Sequence, residues 1–121
     1  MPRLNLDAYT LPGLFLRTLR HFPLREALGH KHGSAWVVID YKQLAERITQ
    51  VVQALQALGV QPGDRVAILA ENRPEWPMLD FAVQFLGAIN VPLYHTLSEP
   101  QIHTVLNHSG AVLLVVSGGE L

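Results

Sequence analysis

A chain of 121 residues with nine Lys and Arg, ten Asp and Glu and no Cys has the length of one domain, and at 49% hydrophobic residues it can bury a core. Its formal net charge of −1 excludes the basic footprint of a nucleic-acid binder, and no polybasic run points to an anionic membrane. The absence of Cys excludes disulfides, thiolate metal sites and a cysteine nucleophile.

The opening Met1–Asp7 has no apolar stretch after a basic one, so it does not read as a secretory signal. The longest aliphatic run, Ala111 to Val116, is far shorter than the roughly 20 residues of a membrane span. A soluble, cytoplasmic chain is expected, with a peripheral position at a membrane left open. The first helix is expected from Leu11 to His21, with Thr10 as N-cap, Pro12 in the first turn and Leu11, Leu14, Phe15, Leu19 and Phe22 at helical spacing. Ala27–His30 and Ala35–Ile39 then flank Lys31-His32-Gly33-Ser34 as a hairpin whose turn uses Gly.

Asp40 and Gln43 form a capping-box pattern. The helix they open places Leu44, Ala45, Ile48, Val51, Val52, Leu55 and Leu58 within an arc of about 140°, and Gly59 suits its left-handed C-cap. Pro62-Gly63 fits a type II turn before a strand at Arg65–Ala70. A helix from Pro74 to Ala88, a strand at Val91–Leu93, a helix opened by Ser98-Glu99-Pro100-Gln101 and a strand at Ala111–Val116 follow. Apolar strands alternating with helices give an α/β class: a partial doubly wound parallel sheet with covering helices, plus the N-terminal helix and β-hairpin. The two crossover helices are expected on one face of the sheet and the long helix ending at Leu58 on the other.

Between Glu75 and Ala88 only Asp80 and Gln84 are polar, and a helix apolar nearly all round needs cover on every side. Ser117–Leu121 reads as a strand-to-helix turn with no helix after it. A piece of a larger α/β protein is therefore expected, one that self-associates when isolated.

Little in these residues carries chemistry by itself. His103 and His108 lie about 140° apart around a helix and cannot chelate one ion together. His30 and His32 share a strand face without a third ligand nearby, and His95 follows a strand end, where ligands meet α/β sheets. Ser34, Ser98, Ser109 and Ser117 lie in no G-x-S-x-G, and Ser98 is explained as a cap. G-x-G-x-x-G and G-x-x-x-x-G-K-[ST] are both absent. Asp64 and Glu71 read as turn and loop residues, and Asn72-Arg73-Pro74-Glu75-Trp76 as a helix start with Pro and an acid.

Read together, Gly63-Asp64-Arg65-Val66-Ala67-Ile68-Leu69, Glu71-Asn72-Arg73-Pro74-Glu75-Trp76, Gly87-Ala88 before Val91-Pro92-Leu93-Tyr94, and Thr96-Leu97 through His108-Ser109-Gly110-Ala111 resemble the adenylate-forming acyl-CoA synthetase superfamily. They lean towards its AMP-forming long-chain fatty acid–CoA ligases. The resemblance covers essentially the whole chain, with residues 1–121 as a single segment, the N-terminal part of that family's large N-terminal domain. It implies activation of a carboxylate by ATP and Mg²⁺ to an acyl-adenylate, then acyl transfer to the thiol of coenzyme A, with a fatty acid as substrate.

The family's catalytic motifs are not in this sequence: no Ser/Thr/Gly-rich loop ending in Pro-Lys-Gly, no Tyr-Gly-x-Thr-Glu, no hinge Asp and no small C-terminal domain with its adenylation Lys. The two lysines, Lys31 and Lys42, stand in other contexts. No catalytic, cofactor-binding or metal-ligating residue is assigned, and this chain alone is expected to be inactive and to bind none of ATP, Mg²⁺ or CoA tightly. His95 stands where relatives have Pro, and Pro77 falls in a helix usually free of it, tolerable if Glu75 is the first helical residue. The alternatives are a superfamily member that activates an aryl, short-chain or amino acid, or an autonomous flavodoxin-like binding module without catalysis.

Overall fold

Local chemistry sets the element boundaries. The computed structural model describes residues 10–118; Met1–Asp7 and the end of the Ser117–Leu121 turn lie outside them. Thr10 accepts the Gly13 N–H at 3.0 Å and starts α1 (Leu11–His21), followed by a hairpin of β1 (Glu26–His32) and β2 (Ala35–Asp40). The capping box at α2 (Tyr41–Ala57) is fully formed: Gln43 N–H donates to Asp40 Oδ1 at 2.8 Å and Asp40 N–H to Gln43 Oε1 at 2.9 Å. Asp64 N–H donates to the Gln61 carbonyl across Pro62-Gly63, with Gly63 at φ +85°, as a type II turn requires.

The second half alternates β3 (Arg65–Leu69), α3 (Glu75–Phe85), β4 (Ile89–Leu93), α4 (Glu99–Ser109) and β5 (Leu113–Val116). α3 ends three residues before the expected Ala88, because Gly87 takes a left-handed φ of +70° behind the C-cap Leu86. β4 starts earlier than expected and includes Pro92, which an edge strand accommodates. Pro77 lies in the first turn of α3, as the Glu75 start allows.

The three strands are parallel in the order β4-β3-β5. That order corrects the expected placement of the helices. From the central β3 the first crossover moves to one edge, and the second then passes back over β3 to the other. Right-handed connections running in opposite directions put α3 and α4 on opposite faces. α2 does not take the free face either; it packs against α3. The sheet is thus doubly wound, with α2 and α3 over Val66, Ile68, Leu113 and Val115, and Ala67, Leu69, Leu93 and Leu114 on the α4 side.

Phe15 of α1 joins the layers, its ring 5.0 Å from Phe81 and 6.2 Å from Phe85. Around it Leu44, Ile48 and Leu55 of α2, Leu79, Ala82 and Val83 of α3, and Val66 and Ile68 of β3 form the buried core. α1, α2 and β4 pack against α3, leaving Glu75 exposed and most of its other residues half-buried. The expected need for cover is met only in part: Leu79, Ala82 and Val83 are buried, whereas Trp76, Met78, Phe81 and Phe85 are partly buried. Leu11, Leu14, Phe22 and Leu58, placed on apolar faces by spacing, are exposed; they sit at helix ends or beyond the arc that the neighbouring helix reaches.

Candidate functional site

In a doubly wound sheet, ligands meet the carboxyl ends of the strands where adjacent connections leave to opposite faces. Here that point lies between β3 and β4, whose following loops run to α3 and α4. A hollow of about 550 Å³ opens there, lined by Ala70, Asn72, Trp76, Leu93, Tyr94 and His95 among others. A smaller one of about 210 Å³ shares Ala70 and Trp76 and reaches Ser117 and Gly118 beyond β5. Ser117 N–H donates to the Leu69 carbonyl at 3.1 Å, which extends the parallel ladder to this rim.

The charged group of the site is an ion pair. Arg73 Nε donates to Glu75 Oε2 at 2.9 Å. The hydrogen bond to Glu75 raises the Arg73 pKa, and the same bond, with the backbone N–H at the start of α3, lowers that of Glu75. His30 adds a smaller lowering effect on Glu75, because the hairpin lies beside this loop: Leu28, Gly29 and His30 line a hollow with Asn72, Arg73 and Trp76. Forty-odd residues of sequence separate His30 from that loop, and no local pattern signals the meeting.

Of the residues weighed from sequence, His95 lies at the strand-end hollow while His32, His103 and His108 are exposed elsewhere. Among the described residues no three His, Cys, Asp or Glu side chains gather as metal ligands. Ser98 is a cap, its N–H and hydroxyl both donating to Gln101 Oε1. Asp64 closes its turn by accepting the Gln61 N–H at 2.8 Å. Asp80 accepts from Asn90 Nδ2 at 2.7 Å, and the Asn90 Oδ1 atom is buried without a partner.

The description "AMP-binding enzyme" belongs to a family model that matches residues 15–120. The chain is a member of this family. It is 43% identical over 79 residues to the long-chain-fatty-acid–CoA ligase FadD15 of Mycobacterium bovis, covering 65% of this chain and 13% of that protein. It is 36% identical over 101 residues to a feruloyl-CoA synthase of Amycolatopsis, covering 80% of this chain and 21% of that one. The N-terminal subdomain of Klebsiella oxytoca NpsA superposes with a TM-score of 0.82 at 31% identity, over 92% of this chain and 28% of that structure. The chain therefore spans between about an eighth and just over a quarter of the proteins it matches.

An AMP-binding family implies ATP, and the resemblance adds Mg²⁺ and CoA. The residues at the strand ends do not fit these groups. A triphosphate cradle needs converging backbone N–H groups and free cations, whereas the one cation in this loop, Arg73, is engaged by Glu75. No three-donor acidic cluster stands ready for Mg²⁺ among the described residues.

Proposed function

We propose that residues 1–121 are the N-terminal part of the large N-terminal domain of a fatty acid–CoA ligase, an enzyme that activates a carboxylate with ATP to an acyl-adenylate and transfers the acyl group to CoA. The observation that carries this reading is the family match over residues 15–120 together with 43% identity to a long-chain-fatty-acid–CoA ligase. In this reading the segment supplies scaffold and one rim of a strand-end crevice, and no catalytic residue. The Arg73–Glu75 pair fixes the loop after β3 and leaves the activation chemistry to parts of the longer protein.

Cytoplasmic placement accompanies the reading. Among the described residues no helix is long and apolar enough to cross a membrane. Exposed Leu114 and Val116 on the edge strand β5 support self-association of the isolated chain, since an unpaired apolar edge invites further strands.

The feruloyl-CoA synthase match, over more of the chain than the fatty acid ligase match, favours a second reading in which the acid is aromatic. Replacing the stretch of the Mycobacterium bovis ligase that corresponds to residues 15–118 with these residues tests the part common to both. A folded chimera is expected to form acyl-CoA from a carboxylic acid, ATP and CoA. A folded chimera inactive with both fatty and aryl acids overturns the reading.

A further inference from the structure

We propose that the outer edge of β2 pairs with β2 of a second copy of this chain, antiparallel about Val37, and joins two hairpins into one continuous sheet. Among the described residues β2 pairs only with β1. β1 lies beside the Asn72–Arg73 loop and carries Glu26, His30, Lys31 and His32, whereas Ala35–Ile39 of β2 holds no charged or titratable residue. Trp36 is 66% exposed, Val37 41% and Val38 43%. Charge is a common protection of an exposed edge strand, and β2 lacks it.

The turn decides which backbone groups are left over. Gly33, at φ +64°, and Ser34 connect His32 to its cross-strand partner Ala35. In a hairpin with a two-residue connection the closing pair exchanges both hydrogen bonds, and so does every second pair after it. His30 with Val37 and Leu28 with Ile39 are therefore bonded pairs. The N–H and C=O groups of Trp36 and Val38 point away from β1.

A two-fold axis at Val37 sets Trp36 of each copy opposite Val38 of the other. The outward N–H groups of both strands then donate to outward carbonyls, so the pairing leaves none of these groups unmet. On one face each Trp36 ring meets a β-branched side chain across the new ladder. The ring and Val38 already lie over Gly29, where a Cβ would be 3.6 Å from Val38 Cγ2 and 3.9 Å from Trp36 Cε3, so the apolar strip is flat and unobstructed. On the other face Val37 meets Val37. Asp40 of each copy falls opposite Ser34 of the other, and no like charges face each other. The inference stands independently of the ligase reading.

Sedimentation equilibrium of the whole chain over a range of concentrations, with amide exchange followed at Trp36 and Val38, tests it. A monomer–dimer equilibrium is expected, with exchange at both amides slowing as the dimer forms. V37K sets two like charges together on the axis and is expected to weaken the dimer at least about tenfold, as is V37E, and an equimolar mixture of the two restores it. V38P removes an outward donor from each copy without touching a bond to β1, and weakens the dimer by roughly 30-fold. V116K, on the exposed β5 edge, leaves it unchanged. Circular dichroism confirms that the variants keep the native fold. A monomer at every concentration, an undiminished V37K dimer, or a V37K and V37E mixture that stays monomeric overturns the proposal. So does a dimer broken by V116K and not by V37K, which would assign the contact to β5.

Discussion

Arg65 Nε donates to the Ser109 carbonyl at 2.7 Å, so the first residue of β3 closes the C-terminal end of α4. A cation there satisfies an orphan carbonyl and the negative end of the helix dipole. The next residue, Gly110, takes φ +65°, and a Cβ on it would lie 2.8 Å from Arg65 Nη2. Val112 N–H then donates to the Arg65 carbonyl at 2.9 Å, which seats β5 beside β3.

Arg65→Ala is expected to cost about 1 kcal/mol. Gly110→Ala should cost about 1–2 kcal/mol, from the left-handed backbone and from displacement of the guanidinium. With Arg65 already removed the displacement vanishes, so the double variant costs less than the two single changes combined. Urea denaturation of the four proteins measures this; strict additivity would show that the guanidinium and Gly110 do not compete for space.

The Arg73–Glu75 pair sets a pH dependence. Glu75 titrates below its ordinary 4.5, so its contribution is present above that value and is lost as pH falls through the lower folded pKa. Arg73 is raised above its ordinary value by the hydrogen bond to Glu75, so its own contribution is unchanged until strongly alkaline pH. Both side chains meet solvent, which keeps the effect small and salt-sensitive. Denaturation midpoints followed from about pH 6 to about pH 3 should fall less steeply in Glu75→Gln than in the parent. Parallel curves would exclude a role for the pair.

Asp80 and Asn90 form a half-satisfied polar pair between α3 and β4. Asp80→Ala strands the Asn90 amide donor beside an oxygen that already lacks a partner, at a cost of about 1–3 kcal/mol. Replacing both residues with Leu removes every unpaired group and should cost less than Asp80→Ala alone. Thermal denaturation of the single and double variants decides it, and a double variant worse than the single would contradict it.

Ile68 is 1% exposed at the centre of the sheet and Leu58 is 67% exposed at the end of α2. Ile68→Ala is expected to cost about 2–5 kcal/mol through lost burial and a cavity, and Leu58→Ala less than about 0.5 kcal/mol. Comparable losses at both sites would mean that Leu58 is covered in solution.

The elements legible in the sequence are those whose causes are local. Thr10, Asp40 with Gln43, and Ser98 with Gln101 mark the N-terminal ends of three helices, and Gly33, Gly63 and Gly110 carry the positive φ their turns need. The relation of the two crossover helices was not legible, because it depends on strand order, and nothing near Val91 or Leu113 states which side of β3 each strand takes. The same holds for the site. His95 could be placed at a strand end from position alone, whereas the approach of His30 to the Asn72–Arg73 loop depends on how the hairpin folds back. The contact of α1 with α3 has the same character: Phe15 is one aromatic side chain in the pattern of α1, and only packing shows that it meets Phe81 and Phe85.

ATP–pyrophosphate exchange by the purified chain, with Mg²⁺ and a panel of fatty and aryl acids, tests most directly whether residues 1–121 carry scaffold and no activation chemistry. The strand-end loops hold one engaged cation and no gathering of acidic ligands among the described residues, so no acid-dependent exchange above background is expected. Measurable exchange that depends on the added acid would contradict the account and place activation chemistry within this segment.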